Sequence, residues 1–313
     1  MRPTISAIIP TYNRRPYLGR AIQSILSQSI APDEILVIDD GSTDGTADYL
    51  RKEFPGVIRL VEQTNAGVSA ARRRGLLEAR HDWIAFLDSD DEWSIGRLQA
   101  LLTAAENLPE DVRWIFGDTS LVFDNEIIQS LYQIHGLGPI YGSVIYRDPI
   151  ETQFPFSFSL LQSSLISRNL LTQLNAFSEQ LKSSEDFLVS FRASLHGPLA
   201  AIPDIVTRLY RTSDLADSSL DQAGKSGPDY FRARILAFDE ATRLAGSKPW
   251  SRLHEEAVRG LCRALADQNS PSGLLALQQF KHRISAKAIG FSLMAIPGST
   301  LLSLINMIRQ RFS

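Results

Sequence analysis

The sequence predicts an α/β fold, a mainly parallel sheet flanked by helices and followed by a helical C-terminal extension. Three observations carry this prediction. Short apolar runs of strand length alternate with helical stripes over the first 110 residues. Each of three apolar runs stops abruptly on a polar cluster. Beyond Ser213 the strand signals disappear and the pattern is helical throughout.

In chain order, Ile5–Ile9 reads as a buried strand ended by Pro10, and residues 16–29 place Leu18, Ala21, Ile22, Ile25 and Leu26 on one helical stripe. Glu34–Ile38 is a second strand running into Asp39-Asp40-Gly41, with Ser42, Thr43 and Asp44 as cap candidates for a short helix. Residues 57–61 form a third strand, 67–80 a helix, and Trp83–Leu87 a fourth strand. A helix is expected near 95–107 and a strand over Val112–Gly117, whereas 124–165 mixes Gly, Pro and aromatics without a period. Residues 185–195 read as a helix and 201–211 as extended, and 218–229 is the expected linker. The boundaries are therefore a 1–215 α/β domain, whose rhythm changes near 110, and a 216–313 helical region.

Composition narrows the function classes. The formal net charge is −3 over 313 residues, which argues against a dedicated nucleic-acid binder. The single cysteine, Cys262, has no internal disulfide partner, so a reducing, cytoplasmic setting is expected. His254 lies upstream of Cys262, but Cys262 sits in an apolar helical pattern and reads as core. The N-terminus reaches Pro10 and Asn13 too soon for a signal peptide. Residues 288–308 lack charge, yet Pro297-Gly298 interrupts them and Ser292, Ser299, Thr300, Ser303 and Asn306 dilute them. A packed helical hairpin or a surface resting on the membrane fits that stretch better than a membrane span.

In an open parallel sheet, ligands bind beyond the carboxyl ends of the strands. Pro10-Thr11-Tyr12-Asn13, Asp39-Asp40 and Asp88-Ser89-Asp90-Asp91 should therefore share one rim. Carboxylates this close repel one another unless a cation neutralises them. Mg²⁺ or Mn²⁺ does so with oxygen ligands and keeps positions open for substrate phosphates. Asp90 and Asp91 are the expected metal ligands, with Asp88 beside them, and Glu92 reads as a cap of the next helix. A solvated loop cap is the alternative for the whole cluster. Two rival motifs fail: counted from Asp40, a calcium loop needs Glu at its twelfth position and has Arg51, and there is no Walker-type Gly-Lys-Ser/Thr loop.

Taken in order, "AIIPTYN" (7–13), "ILVIDDGSTDGT" (35–46), "NAGVSAARRRG" (65–75), "IAFLDSDDEW" (84–93) and "SSEDFLVSFR" (183–192) resemble the family 2 glycosyltransferases, inverting nucleotide-sugar enzymes of the Rossmann-like GT-A fold. The resemblance covers roughly the first 210 residues and implies a catalytic domain over 1–215, with a nucleotide-binding half at 1–110 and an acceptor half at 111–215. It implies that Pro10, Thr11 and Tyr12 hold the nucleotide, with the Tyr12 ring against the base. It implies that Asp40 accepts a hydrogen bond from the base; capping of the next turn is the alternative. Arg72 lies on the inward stripe of its helix with Val68, Ala71, Leu76 and Ala79, and so requires an anion, either Asp40 or the diphosphate. Arg73 replaces the family's usual asparagine.

The resemblance also implies a general base at Asp186 with Glu185 as its neighbour, against the alternative that both are helix N-terminal charges. A UDP-sugar is the expected donor, with inversion giving a β-linked product from an α-linked donor. The expected acceptor is a saccharide or lipid-linked saccharide in surface-glycan or polysaccharide synthesis, with no nucleic-acid partner. Where relatives carry a His after the late extended segment, this chain has Ser213; His196 and His135 are the substitutes, and Arg211 is a candidate phosphate contact. Basic residues in 281–287 with Arg309 and Arg311 bracket the apolar C-terminal stretch, as in peripheral contact with the inner face of a membrane. Two other classes remain: a silent GT-A scaffold, and a nucleotidyltransferase, which would want a Gly-rich loop absent from "PTYNRRPYL".

Overall fold

The structure is a computed structural model. It describes residues 2–123, 126–134, 137, 140–147, 149, 159–177, 181, 184–211 and 228–245. The chain divides into two compact units, Met1–Ala216 and Asp217–Ser313. Of the second unit the described part is one helix, Pro228–Ala245. The expectations for Cys262, His254, the 281–287 basic stretch and the 288–308 apolar stretch lie outside the described residues, as do most of the 218–229 linker, His135 and Ser213. Among the described residues, no helix is long and apolar enough to cross a membrane.

The first unit begins with the expected alternation: β1 (Ile5–Thr11), α1 (Arg15–Leu26), β2 (Glu34–Asp39), α2 (Thr46–Glu53), β3 (Arg59–Glu62), α3 (Val68–Glu78) and β4 (Trp83–Phe86). The two-residue β5 (Glu92–Trp93) and α4 (Arg97–Asn107) follow. Next come β6 (Trp114–Phe123), β7 (Glu126–Ser130), the short α5 (Leu131–Ile134), β8 (Val144–Tyr146) and a 3₁₀ turn (Leu161–Ser163). The unit closes with β9 (Ser164–Ser167), α6 (Arg168–Gln173), α7 (Glu185–Leu195) and β10 (Leu199–Arg211).

All ten strands join one sheet in the order β3-β2-β1-β4-β9-β6-β10-β5, with β7 on β6 and β8 on β10. The four N-terminal strands pair in parallel. Beyond them the sheet is mixed: β9 enters antiparallel between β4 and β6, β10 runs parallel to β6, and β5 returns antiparallel on β10. The parallel character expected from the sequence thus belongs to the first half. β7, β8 and the start of β9 fall in the segment that showed no period, because runs of three to five residues are too short to carry one.

Both faces of the sheet are covered, as buried parallel strands require. Ile5, Ala7 and Ile9 of β1 face one core with Leu18, Ile22 and Ile25 of α1 and Leu98, Leu101 and Leu102 of α4. Ile8 faces the other with Ala71 and Leu76 of α3, Leu170 and Leu171 of α6, and Val189 and Ala193 of α7. Alternate residues of one strand therefore serve opposite layers.

Gly75 sets how closely α3 approaches the sheet. A Cβ there would lie 2.5 Å from Ile8 Cγ2 and 3.3 Å from Ile38 Cγ1. Both isoleucines are fully buried and stiff at χ1. Gly75→Val is expected to lower the unfolding free energy by about 1–3 kcal/mol through overpacking. Urea denaturation checks this, and a neutral result would mean that α3 can move away from the sheet.

Candidate active site

The carboxyl ends of β1, β2 and β4 meet because the three strands are adjacent and parallel. Thr11 stands opposite Asp39 in register, and the Asp40 N–H donates to the Thr11 carbonyl (2.9 Å). The Leu87 N–H donates to the Ile8 carbonyl (3.0 Å) as the chain leaves β4. The structure thus brings the three polar clusters to one edge.

At the β1 end, Pro10 is buried in the strand opposite Ile38, whereas the Tyr12 ring is 47 % exposed and free to present a face. Thr11 is buried, and its Oγ1 has no hydrogen-bond partner among the described residues. Asn13 adopts a left-handed φ of 51°, which aims its side chain at the neighbouring loop. Its Oδ1 accepts from the Thr43 N–H (2.8 Å), and its own N–H donates to Ser42 Oγ (2.9 Å). The first two rim loops are thereby joined.

Asp40 holds the loop that follows β3. Its Oδ1 accepts from Gln63 Nε2 (2.7 Å) and the Ala66 N–H (2.9 Å), and its Oδ2 from the Gly67 N–H (2.8 Å). Three of roughly four lone-pair positions are therefore committed to shaping the loop before α3. Only 3 % of Asp40 is exposed. Asp39, equally buried, accepts from the Ser42 N–H (2.9 Å).

The acidic loop does not continue the strand but turns, with the Asp91 N–H donating to the Asp88 carbonyl (3.1 Å). Asp88 Oδ1 accepts from Arg72 (2.6 Å) and its Oδ2 from Gln162 Nε2 (3.1 Å). Asp90 is partly buried, with its side chain 18 % exposed, and its Oδ2 lies 4.0 Å from Arg14 Nε. The Asp91 carboxylate, by contrast, faces the sheet: Asp91 is 1 % exposed and its Oδ1 accepts from the Tyr210 N–H (2.9 Å). Glu92 is no helix cap; it lies in β5, 3.0 Å from Arg20 Nε, and accepts from the Tyr210 hydroxyl (3.0 Å).

Arg20 completes this brace. It donates to the Asp90 carbonyl (2.7 Å), and its guanidinium lies 3.8 Å from the centre of the Tyr210 ring. Neither Arg20, Tyr210 nor Gln162 stands out in the sequence. Arg20 has a helix-surface position, and the other two depend on strands that pair far along the chain.

Arg72 does point inward, but its partners are neither Asp40 nor an open position. One arm donates to Asp88 and the other to Glu185, the first residue of α7. Burial opposes the charge on Arg72, yet the flanking carboxylates win and hold its pKa above the ordinary arginine value. Burial pushes the Glu185 carboxyl up, against the pull of Arg72. Asp186 is next on the same first turn and less buried, with its Oδ1 accepting from the Phe187 N–H (2.7 Å). Glu185 therefore belongs to the ion-pair network, while Asp186 is the carboxylate left nearer the surface. His196 caps the far end of α7, roughly 15 Å along the axis at 1.5 Å per residue, so it does not reach this rim. Arg211 is the last residue of β10.

Among the described residues, no group of three or more His, Cys, Asp or Glu forms a ready metal cage. Mg²⁺ and Mn²⁺ at phosphate sites use one or two carboxylates and take their remaining ligands from the substrate and water. Asp90, partly exposed on the acidic turn, fits that donor set. Asp91, holding a backbone N–H of β10, does not supply it in this conformation.

Comparison with known proteins agrees with this architecture. The family profile described as Glycosyl transferase family 2 matches residues 6–152. The putative teichuronic acid biosynthesis glycosyltransferase TuaG of Bacillus subtilis is 40 % identical over 106 residues, 32 % of this chain and 41 % of that protein. The glycosyltransferase GlyA of Streptococcus pneumoniae serotype 4 is 32 % identical over 179 residues, 54 % of this chain and 25 % of that protein. The matches thus span less than half of either relative's length. Among solved structures, S. aureus TarS in complex with UDP-GlcNAc superposes with a TM-score of 0.62 at 21 % identity, covering 94 % of this chain and 82 % of that one. TarS in complex with UDP gives a TM-score of 0.59 at 20 % identity, over 94 % and 81 %. These likenesses establish the GT-A fold.

Proposed function

We propose that this chain, whose residues 6–152 match the family 2 glycosyltransferase profile, moves a sugar, with inversion, from a UDP-sugar to a saccharide or lipid-linked saccharide acceptor. The observation that carries this reading is the meeting of three rim loops beside a carboxylate on a separate helix. Tyr12 offers an exposed ring for the base, and the partnerless Thr11 Oγ1 a buried polar contact beside it. The braced acidic loop presents Asp90 toward the diphosphate position. Asp186, joined to that loop through Glu185, Arg72 and Asp88, stands on the acceptor side.

The chemistry follows from this placement. The acceptor hydroxyl oxygen attacks the anomeric carbon as the bond from that carbon to the diphosphate oxygen breaks on the opposite face. Asp186 receives the hydroxyl proton. A divalent cation held by Asp90 would supply neutralising charge to the diphosphate as it leaves. The Arg72 bridge fixes the helix that carries Asp186 relative to the acidic loop, so that the two reacting groups are held in mutual orientation. Support for UDP comes from the TarS complexes, and support for a polysaccharide acceptor from the teichuronic acid relative. The same reading puts the enzyme in the cytoplasm, and at the inner membrane face when the acceptor is lipid-linked.

Calorimetric titration of UDP, GDP, dTDP and CDP, each with and without Mn²⁺, into wild type and Asp90→Ala tests the proposal. UDP is expected to bind best, with Mn²⁺ required and the affinity at least about tenfold weaker in Asp90→Ala, a loss of 1.4 kcal/mol or more. If no diphosphate binds in the presence of metal, the rim is not a donor site and the transferase reading fails.

A further inference from the structure

Arg97, the first residue of α4, is 1 % exposed and has no carboxylate partner among the described residues. It donates to the carbonyls of Gln162 and Ser164 (2.8 Å for the latter) and to Thr207 Oγ1 (2.6 Å), and it lies 4.6 Å from the centre of the Trp93 ring. Burying a cation among neutral oxygens is costly, because none of them returns the full solvation energy of the charge. Burial accordingly pushes the Arg97 pKa down to about 9, which still leaves it charged at neutral pH. What this costly group achieves is a fixed main chain at Gln162. The Gln162 carbonyl is gripped twice, by Arg97 and by the Thr207 hydroxyl (2.7 Å). From that seat, the Gln162 side chain donates to Asp88 Oδ2 (3.1 Å), opposite the Arg72 contact to Oδ1.

We propose that Gln162, seated by Arg97 and Thr207, is a positioning residue that holds Asp88 in place at the donor rim. This rests on the transferase reading in so far as the rim takes a nucleoside diphosphate. With both oxygens engaged from opposite sides, the Asp88 carboxylate has one orientation. Arg72 is thereby kept extended between Asp88 and Glu185, and the turn that carries Asp90 starts from a fixed point. Without Gln162, Asp88 would keep a single tether and could rotate about it.

The test uses Gln162→Leu, which removes the amide donor and leaves the gripped carbonyl in place. With both proteins folded at the assay temperature, UDP with Mn²⁺ is expected to bind about tenfold more weakly to the variant, beyond whatever the lost part-buried hydrogen bond to Asp88 costs in Tm. Added to Asp88→Asn, the same substitution should cost nothing further, because the two act through one contact. Unchanged affinity or an additive double variant would each overturn the proposal. If wild type itself binds no nucleoside diphosphate, the transferase reading fails on its own account. The positioning claim is then decided by a crystal structure of Gln162→Leu. Asp88 turned away from Arg72 supports the claim, and an unmoved Asp88 rejects it.

Discussion

Arg72→Met should lower the free energy of unfolding by about 3–5 kcal/mol, the range seen when one member of a buried ion network is removed. The guanidinium is 5 % exposed and sits between the carboxylates of Asp88 and Glu185, so solvent screens little of its contribution. Its loss leaves two acids with no cation between them. Glu185, already raised by burial and opposed chiefly by Arg72, then takes up a proton more readily. Arg72→Lys should recover only part of the loss, because a single ammonium cannot fork to both partners. Urea unfolding of the three proteins measures this directly. A cost below about 1 kcal/mol in Arg72→Met would mean that the bridge behaves like an exposed surface pair.

For Asp186→Asn the expected result is a fall in turnover of about 10²–10⁴-fold with UDP affinity within about twofold of wild type, the pattern of a lost general base. The amide preserves the size of the side chain but cannot receive the acceptor proton. The readout is UDP release with a chosen acceptor, beside calorimetry of UDP alone. A matching loss of UDP affinity would instead place Asp186 in donor binding and reassign the base. Glu185 is the poorer candidate for the base because its carboxylate is spent on Arg72 and is buried.

The parallel half of the fold was legible because each of its strands is a compact apolar run ending on polar residues, and α7 was legible from Glu185 onward for a similar reason. The inward turn of Arg72 could be read from its helix stripe. Its partners could not, since Glu185 lies 113 residues away and meets it only through tertiary packing. That the acidic loop shares one sheet edge with the other two polar clusters could be read from the sequence, but the separate environments of its carboxylates could not. Whether Asp90 or Asp91 faces outward depends on β5, whose two residues show no period, and on β10 pairing beside it. Asp40 shows the same limit: its three donors come from a loop whose backbone geometry is not encoded in the residues around Asp40.

The fastening of Asp91 and Glu92 by Tyr210 also has a consequence in time. Synthesis delivers the chain from its N-terminus, so the first four strands and their helices leave the ribosome well before β10 exists. During that interval the acidic stretch lacks the N–H, the hydroxyl and the aromatic ring that shape it. The loop is completed only when Leu199–Arg211 slots into the sheet, which makes it one of the last parts of the unit to mature.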